Sequence, residues 1–215
     1  MASIADIIEV NTQSSIRIEY GKELIYVDPF QLPRATSDAD FVLVTHDHFD
    51  HYSPEDIIKI QKPDTRFVFP ECMKGNVDEI IPSEARVYYL EPGISKGVGD
   101  LVIETVPAYN MHKLHHPKSA GFLGYIIRVG ELKIYISGDT DIIPEMKGIQ
   151  CDIALVPIGG TYTMTALEAA KLVNVLKPKV AIPTHFGSIV GTPGDAVTFK
   201  NNVDPSIQVE EKIKF

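Results

Sequence analysis

The chain contains no tryptophan and only two cysteines, Cys72 and Cys151, among its 215 residues. The two cysteines lie far apart and neither belongs to a C-x-x-C pattern, so the sequence carries no cysteine-based metal or redox motif. So few thiols are typical of a protein from a reducing compartment. We therefore expect both cysteines to be reduced and to have a structural role.

Positive charge is also scarce in this sequence. Its 20 lysines and arginines stand against 29 aspartates and glutamates, which gives a net charge of −9 and a pI of about 5.2. This acidic balance disfavours a protein that binds nucleic acid or an anionic membrane surface. We expect a small-molecule substrate, no nucleic-acid partner and no membrane partner, and the sequence leaves the oligomeric state open.

Long apolar segments and targeting signals are absent as well. No apolar stretch approaches the roughly 20 residues of a membrane-spanning helix. Residues 1–10 include Asp6 and Glu9, and they lack the basic region that opens a secretory signal. These absences predict a cytoplasmic protein.

The remaining composition is that of an ordinary globular protein, with 44% apolar and 23% charged residues. The length suits one large domain and no Ser/Gly-rich linker divides the chain, so we predict a single domain over residues 1–215. Apolar residues that alternate with polar ones predict β-hairpins over 16–27 and 123–136. Further strands are predicted over 41–44, 66–69, 86–90, 101–106, 152–157, 179–183 and 207–213.

Three segments carry helical patterns. Ser53 begins a short helix whose apolar face is predicted to consist of Ile57, Ile58 and Ile60. Thr165 caps a helix over 166–176, which ends before Pro178 and is predicted to bury Leu167, Ala170, Leu172 and Val173. A third helical piece is predicted over 73–81. Because each half runs from strands to helices, the order indicates two similar halves packed sheet on sheet, with the helices outside.

The chemistry is concentrated in residues 46–51, whose sequence is His-Asp-His-Phe-Asp-His. This segment follows the buried apolar strand over 41–44 and precedes the helix start at Ser53. It is therefore a loop at the carboxyl end of a strand, where the sites of α/β proteins usually lie. Histidines and aspartates at such a place have little use in packing and are typical metal ligands.

The spacing within this loop predicts two points of convergence. In extended backbone, side chains two residues apart point the same way, so His46 and His48 face one cation. Asp50 and His51 follow after the chain begins to turn, and they face a second point a few ångströms away. Imidazole and carboxylate ligands suit zinc, with iron and manganese as close alternatives.

The motif His46-x-His48-x-Asp50-His51 resembles the H-x-H-x-D-H signature of the metallo-β-lactamase superfamily. Within it, the chain resembles most the small metal-dependent hydrolases that include the ascorbate-6-phosphate lactonase relatives. The resemblance covers nearly the whole chain. It implies an α/β fold, a four-layer αββα sandwich with two mixed sheets and helices on the outer faces, and a two-metal site at one edge.

The resemblance also implies the remaining ligands. Asp139 and His185 each follow an apolar strand, and they take the positions of the family's bridging aspartate and last histidine. The middle histidine should follow the strand over 101–106, where His116 is the first choice, His115 the second and His112 the third, while Asn110 is able to hold the place instead. The first metal is assigned to His46, His48 and His116. The second is assigned to Asp50, His51 and His185, with Asp139 as the bridge.

This ligand set predicts a zinc-dependent hydrolase with two ions per chain, manganese or iron being alternatives. Two neighbouring cations would share a hydroxide, because a metal lowers the pKa of water from about 15.7 toward about 7. Asp50 is the candidate catalytic residue, which orients this hydroxide or takes its proton. Asp28 and Asp47 are candidates for holding the far ring nitrogens of the histidines. The bond cleaved is expected to be an ester, a lactone or a phosphodiester.

Other readings remain open at the level of sequence. An iron-dependent redox enzyme of the same fold, a nuclease-type phosphodiesterase and a metal-binding protein without catalysis are the alternatives. Lys113, His115, His116 and Lys118 form a basic patch that is either an anion-binding pocket or a solvated loop. The residues predicted to line the pocket are Tyr109, Asn110, Thr161 and Tyr162.

Overall fold

The computed structural model describes residues 3–213, and the strands in that range form two mixed sheets. The first sheet contains β1 (Ile8–Val10), β2 (Ile16–Tyr20), β3 (Glu23–Val27), β4 (Phe41–Leu43), β5 (Arg66–Pro70) and β6 (Arg86–Leu90). These strands lie side by side in chain order. β1 to β3 pair antiparallel and β3 to β6 pair parallel.

The second sheet has a similar plan. It contains β7 (Ser95–Val98), β8 (Leu101–Pro107), β9 (Leu123–Val129), β10 (Leu132–Ile136), β11 (Ile153–Pro157), β12 (Val180–Thr184) and β13 (Gln208–Val209). Their spatial order is β13-β12-β11-β10-β9-β8-β7. Pairing is antiparallel from β7 to β10 and parallel from β10 to β13. Both sheets therefore combine antiparallel hairpins with a block of parallel strands.

Alternate side chains of the first sheet point to opposite faces, and both faces are buried. Phe41 and Leu43 of β4 belong to a large core that also contains residues of the second sheet, so this face packs sheet on sheet. Val42 of β4 and Phe67 of β5 belong to a separate cluster with the helix α1 (Pro54–Ile60). A strand with both faces covered reads as a continuous apolar run, as this part of the sequence does.

The helices α2 (Ala166–Leu176) and α3 (Pro193–Asn202) cover the second sheet and contact each other. Helix α2 has the predicted bounds because Thr165 and Glu168 form a capping box at its start. With α1 on the first sheet, the layers are helix, sheet, sheet and helix. The predicted fold class is confirmed.

Three predictions about local structure are wrong. Ile58 and Leu167 were expected to point inward but are 54% and 49% exposed. Each follows directly on a buried residue, and neighbours along a helix point about 100° apart. The helical piece over 73–81 is instead two 3-10 turns, Glu71–Met73 and Asp78–Ile80, with Gly75 between them at a φ of 85°. The last strand is only Gln208–Val209.

The absences noted in the sequence have simple structural counterparts. Cys72 and Cys151 are free thiols. Burial raises the pKa of the Cys151 thiol to about 12, which makes this cysteine a poor nucleophile at neutral pH. No helix within the described range combines the length and the apolar character that crossing a membrane requires.

Candidate metal centre

The loop over residues 46–51 leaves the carboxyl end of β4 and turns sharply at His48. The carbonyl oxygen of His48 accepts hydrogen bonds from the backbone N–H groups of His51 at 2.9 Å and Tyr52 at 2.8 Å. This turn separates His46 and His48 from Asp50 and His51. His46, Asp50 and His51 are buried and His48 is half-buried, so all four side chains lie in a protected place.

The second sheet presents three more side chains to this loop. His116 comes from the connection between β8 and β9, Asp139 follows β10, and His185 follows β12. All three are buried, at 1% to 3% exposure. Gly138 has a φ of 63°, and a Cβ at that position would meet the Leu123 carbonyl oxygen at 2.7 Å. Only glycine allows the turn that presents Asp139.

A first group of donors consists of His46, His48 and His116. Nδ1 of His48 lies 3.1 Å from Nε2 of His46 and 3.1 Å from Nε2 of His116. The other candidates for the middle histidine, His115 and His112, belong to none of the donor groups in the described part of the chain. His115 packs against the Tyr162 ring at 4.6 Å, and His112 is exposed.

A second group consists of Asp50, His51 and His185. Oδ2 of Asp50 lies 3.2 Å from Nε2 of His185 and 3.7 Å from Nε2 of His51. The rings of His51 and His185 are stacked with their centroids 5.3 Å apart. This group therefore joins the loop after β4 to the end of β12.

Asp139 lies between the two groups. Its Oδ2 is 3.5 Å from Nε2 of His116, which belongs to the first group, and 3.2 Å from Nε2 of His185, which belongs to the second. Its Oδ1 is 3.4 Å from Nε2 of His51. One carboxylate thus faces both groups, which is the position that a bridging ligand needs.

The charges of the site follow from burial and mutual contact. Burial raises the pKa of Asp139, but His185 and His51 lower it well below its usual range. Burial lowers the pKa of His185, and Asp139 and Asp50 raise it to about 9. Burial and the neighbouring histidines hold the pKa of His46 well below its usual range, so this imidazole is neutral at pH 7.

The donor atoms fit a bound metal, because several of them are buried without any hydrogen-bond partner. Nε2 of His51, Oδ1 of Asp139 and Nε2 of His185 all lack one within the described part of the chain. A buried polar atom without a partner costs about 1–3 kcal/mol. Cations held by imidazole nitrogens and carboxylate oxygens would remove that cost at every one of these atoms.

Comparison with known proteins gives the family to which the chain belongs. A sequence profile of the beta-lactamase superfamily domain matches residues 8–185, a range that contains every donor described above. A UPF0173 protein of Pyrococcus abyssi is 33% identical over 185 residues, which cover 83% of this chain and 81% of the relative. The chain belongs to the metallo-β-lactamase superfamily.

Further members of the superfamily are similar over nearly their whole length. A UPF0173 metal-dependent hydrolase of Methanoregula boonei is 30% identical over 197 residues, which cover 86% of this chain and 85% of the relative. The crystal structure of a candidate metal-dependent hydrolase from Parabacteroides distasonis aligns with a TM-score of 0.80 and 30% identity. That alignment covers 96% of this chain and 93% of the other.

In this chain, hydrogen-bond partners on the far side of three histidine rings hold the rings in place. Each of three rings has its Nδ1 held by a neighbouring side chain, which leaves Nε2 to face the centre. The pairs are His46 with Thr45 at 3.0 Å, His51 with Asp28 at 2.7 Å and His116 with Asn110 at 3.0 Å. Asp28 therefore has the partner role considered for it from the sequence, whereas Asp47 is exposed.

Gln13, on the loop between β1 and β2, is a site residue that the sequence does not reveal. Its side chain is fully buried, and its Nε2 donates a hydrogen bond to Oδ2 of Asp50 at 3.4 Å. Its carbonyl oxygen accepts from the backbone N–H of His185 at 2.9 Å. Gln13 thus holds two donors of the second group from outside, and no local motif marks it.

The metal centre of this superfamily member opens into a cavity of about 250 Å³. Around the donors, its lining consists of Phe49, His115, Tyr162 and Ile189. Of the residues predicted to line the pocket, Tyr162 does so, Tyr109 and Asn110 are buried, and Thr161 is exposed outside it.

The two lysines of the predicted basic patch are engaged in ion pairs. Lys113 pairs with Asp141 and donates to the Thr163 carbonyl oxygen at 2.7 Å. Lys118 pairs with Glu145 at 2.6 Å. Neither lysine lines the cavity at the metal centre.

Proposed function

We propose that this protein is a hydrolase that holds two divalent cations, zinc in the first instance, between the loop after β4 and the strand ends of the second sheet. The observation that carries the proposal is the convergence of seven donor side chains, which form overlapping groups of three. His46, His48 and His116 would hold one cation, and Asp50, His51 and His185 the other. Asp139 would bridge the pair.

Similar proteins support the proposal that this protein is a hydrolase. The Methanoregula boonei relative is named a metal-dependent hydrolase and is similar over nearly its whole length. When bound, the cations would lower the pKa of a coordinated water and polarise a carbonyl or phosphoryl oxygen of the substrate. The substrate is proposed to be a small molecule that carries an ester, a lactone or a phosphodiester.

The chain's own residues would orient the reactants. Asp50 lines the cavity beside His185 and Asp139, where a carboxylate is able to orient the attacking water and take its proton. Gln13 fixes one oxygen of Asp50 from the buried side. The hydrogen bonds from Thr45, Asp28 and Asn110 keep three imidazole rings in the orientation that the donors need.

Iron is the main alternative to zinc as the bound metal. CmlA of Streptomyces venezuelae, a diiron β-hydroxylase, shares the fold with a TM-score of 0.72. Its identity is 14% and the alignment covers 52% of that chain, so the likeness concerns the fold alone. Elemental analysis of the purified protein decides between zinc, iron and manganese.

The Asp50→Ala variant tests the proposal directly. Wild-type protein loaded with zinc is expected to bind two ions per chain and to hydrolyse at least one of a simple lactone, an aryl ester and bis(4-nitrophenyl) phosphate. Asp50→Ala should lose one ion and about 10²–10⁴-fold in kcat/KM, because it removes both a donor and the proton acceptor. Metal content is measured by inductively coupled plasma mass spectrometry, and rates by product release.

A matched control lies in the same loop. Asp47→Ala removes an exposed carboxylate three residues earlier and should change neither metal content nor rate. The proposal is wrong if Asp50→Ala keeps two ions and the wild-type rate, or if the fully loaded wild-type protein hydrolyses none of the three compounds.

A further inference from the structure

The entrance of the metal centre exposes large apolar side chains. Phe49 is 66% exposed and Ile189 is 41% exposed, and both line the same cavity as Asp50, His116 and His185. Exposed apolar side chains that are scattered singly are common on proteins, but these two flank a cluster of buried donors. Binding of an apolar part of a substrate would bury these side chains, which explains why they are exposed beside the donors.

The apolar wall is held in place rather than loose. The Phe30 ring packs edge-on against the Phe49 ring, with centroids 6.0 Å apart and an interplanar angle of 75°. Tyr162, which also lines the cavity, packs against the His115 ring with centroids 4.6 Å apart and an interplanar angle of 76°. A fixed aromatic surface binds an apolar group at a lower entropic cost than a mobile one.

Among the residues that the structure describes around this opening, none is a lysine or an arginine, and the basic side chains there are His115 and the histidines of the two donor groups. The two nearby lysines are neutralised by Asp141 and Glu145. A carboxylate or phosphate on the substrate, away from the reacting bond, would therefore meet apolar rings and a protein of net charge −9.

We infer that the metal centre acts on uncharged esters or lactones whose acyl or alkyl chain is apolar and lies against Phe49, Ile189 and Tyr162. The inference rests on the proposed function. In the reaction, the oxygen of water bonds to the acyl carbon while the bond from that carbon to the alcohol oxygen breaks. One proton of the water goes to the departing alkoxide and the other is released from the acid product, so no oxidant or reductant is needed.

The size of the cavity limits the length of alkyl chain over which kcat/KM should rise. A cavity of about 250 Å³ accepts a short chain, and atoms beyond it lie in solvent. Each methylene buried against the wall should raise kcat/KM by about two- to fourfold. The gain should stop once the chain reaches past the rim.

The experiment uses zinc-loaded, full-length protein and γ-lactones with unbranched alkyl substituents of one to six carbons. Each long lactone is paired with one of equal length that ends in a carboxylate. We expect kcat/KM to rise by at least about tenfold along the neutral series before it levels off. The carboxylate partner should be at least about tenfold poorer than its neutral counterpart.

Two variants locate the effect. Phe49→Ala and Ile189→Ala should each reduce the ratio of kcat/KM between the longest and the shortest neutral lactone by at least about threefold. Both residues are exposed, so the fold should tolerate the changes, and zinc content is measured for each variant. Val175→Ala removes a side chain on α2 that is 71% exposed and should leave the ratio as in the wild type.

The outcomes separate the two proposals. Three outcomes overturn the apolar-substrate inference but not the proposed hydrolase function. They are hydrolysis of the lactones without any dependence on chain length, a preference for the carboxylate partners, and unchanged kcat/KM ratios in both Phe49→Ala and Ile189→Ala. Activity on bis(4-nitrophenyl) phosphate alone does the same. If the loaded protein hydrolyses no ester, lactone or phosphodiester, the proposed function itself is wrong.

Discussion

Three of the six non-glycine residues with a positive φ in the described part of the chain lie at the candidate metal centre. Gln13, Asp28 and His185 have φ values of 48°, 49° and 56°, in a left-handed region that residues with side chains seldom adopt. All three are fully or almost fully buried, and they contact the second group of donors or belong to it. Backbone strain that persists at a buried site indicates that the surrounding structure holds these residues there for a functional reason.

Asp28→Asn tests the role of a residue that touches a donor but not the cavity. Oδ2 of Asp28 lies 2.7 Å from Nδ1 of His51 and accepts a hydrogen bond from the Thr45 hydroxyl at 2.7 Å. The amide is nearly the same size, but it orients the ring less strongly, so zinc affinity should fall about 10–100-fold. Competition with a chromogenic zinc chelator measures this affinity.

The control for this variant is Asp38→Asn, which alters a carboxylate bonded to the Tyr26 hydroxyl. Its zinc affinity should equal that of the wild type. Equal affinity in Asp28→Asn as well would mean that the Asp28–His51 contact does nothing for metal binding.

The sequence predicts some of these residues and not others, for a physical reason. His46, His48, Asp50 and His51 lie in one loop, so their spacing alone indicates convergence. Asp139, His185 and His116 come from three separate connections, and only the resemblance to a family assigned them. Gln13 contacts Asp50 and His185 through the fold, and no pattern along the chain carries that information.

At the scale of elements, the short helix α1 fixes the segment that follows β3. Asp56 in its first turn accepts hydrogen bonds from the backbone N–H groups of Gln31 at 2.8 Å and Leu32 at 2.9 Å. It also accepts from the Ser53 hydroxyl at 2.8 Å and pairs with Lys59 at 2.8 Å. One carboxylate therefore ties α1 to the segment that carries Phe30, the ring that supports Phe49.

Asp56→Asn should lower the free energy of unfolding at pH 7 by about 1–3 kcal/mol, because a buried charged acceptor loses part of its hydrogen bonds. Burial raises the pKa of Asp56, but the contacts with Lys59, Ser53 and the backbone of Leu32 lower it below its usual value. A folded-state pKa that is lowered stabilises the protein above the unfolded pKa of about 3.9, and this contribution is lost as pH falls through the folded value.

The difference in the free energy of unfolding between Asp56→Asn and the wild type should therefore be largest at pH 7 and should decrease below about pH 4. Urea denaturation of zinc-free protein at a series of pH values measures it. Glu55→Gln changes a carboxylate that is 87% exposed and should have almost no effect at any pH. A constant difference from pH 7 to pH 3 would contradict the assignment to ionised Asp56.

Elements with strong local signals were predictable and elements without them were not. Helix α2 has a capping box at Thr165 and a proline beyond its end, so its bounds could be predicted. Helix α3 was not predicted, because it buries only Ala196 and Phe199 and so lacks an apolar face. Its capping box between Thr192 and Asp195 is the signal that marks its start.

At the scale of the whole molecule, the metal centre lies where the two sheets meet. The first sheet supplies the donors of residues 46–51, and the second supplies His116, Asp139 and His185. The order of strands and helices predicted two packed halves, and the resemblance predicted a site at one edge without specifying the edge. The exact contacts across the sheets depend on side-chain packing between residues distant in sequence, which no local pattern describes.

Metal removal should therefore destabilise the whole fold. Zinc at 100 times its Kd would add about 2.7 kcal/mol to the free energy of unfolding. For a chain of this size that corresponds to about 5–10 °C in Tm, which scanning calorimetry with and without EDTA measures. In Asp139→Asn, the difference in Tm between zinc-loaded and EDTA-treated protein should be much smaller. Equal Tm values for the zinc-loaded and EDTA-treated wild type would contradict a metal site that joins the two sheets.

The distribution of donors also bears on how the protein is made. Because synthesis runs from the amino end, His46 is made well before His185, and the second group of donors is incomplete until His185 has followed. A nascent chain that stalls before β12 lacks His185, so a cation that the second group is proposed to hold would miss one of its ligands even if the first sheet has folded. Retention of a cation by the second group would thus report that synthesis has passed β12 and that both sheets have docked.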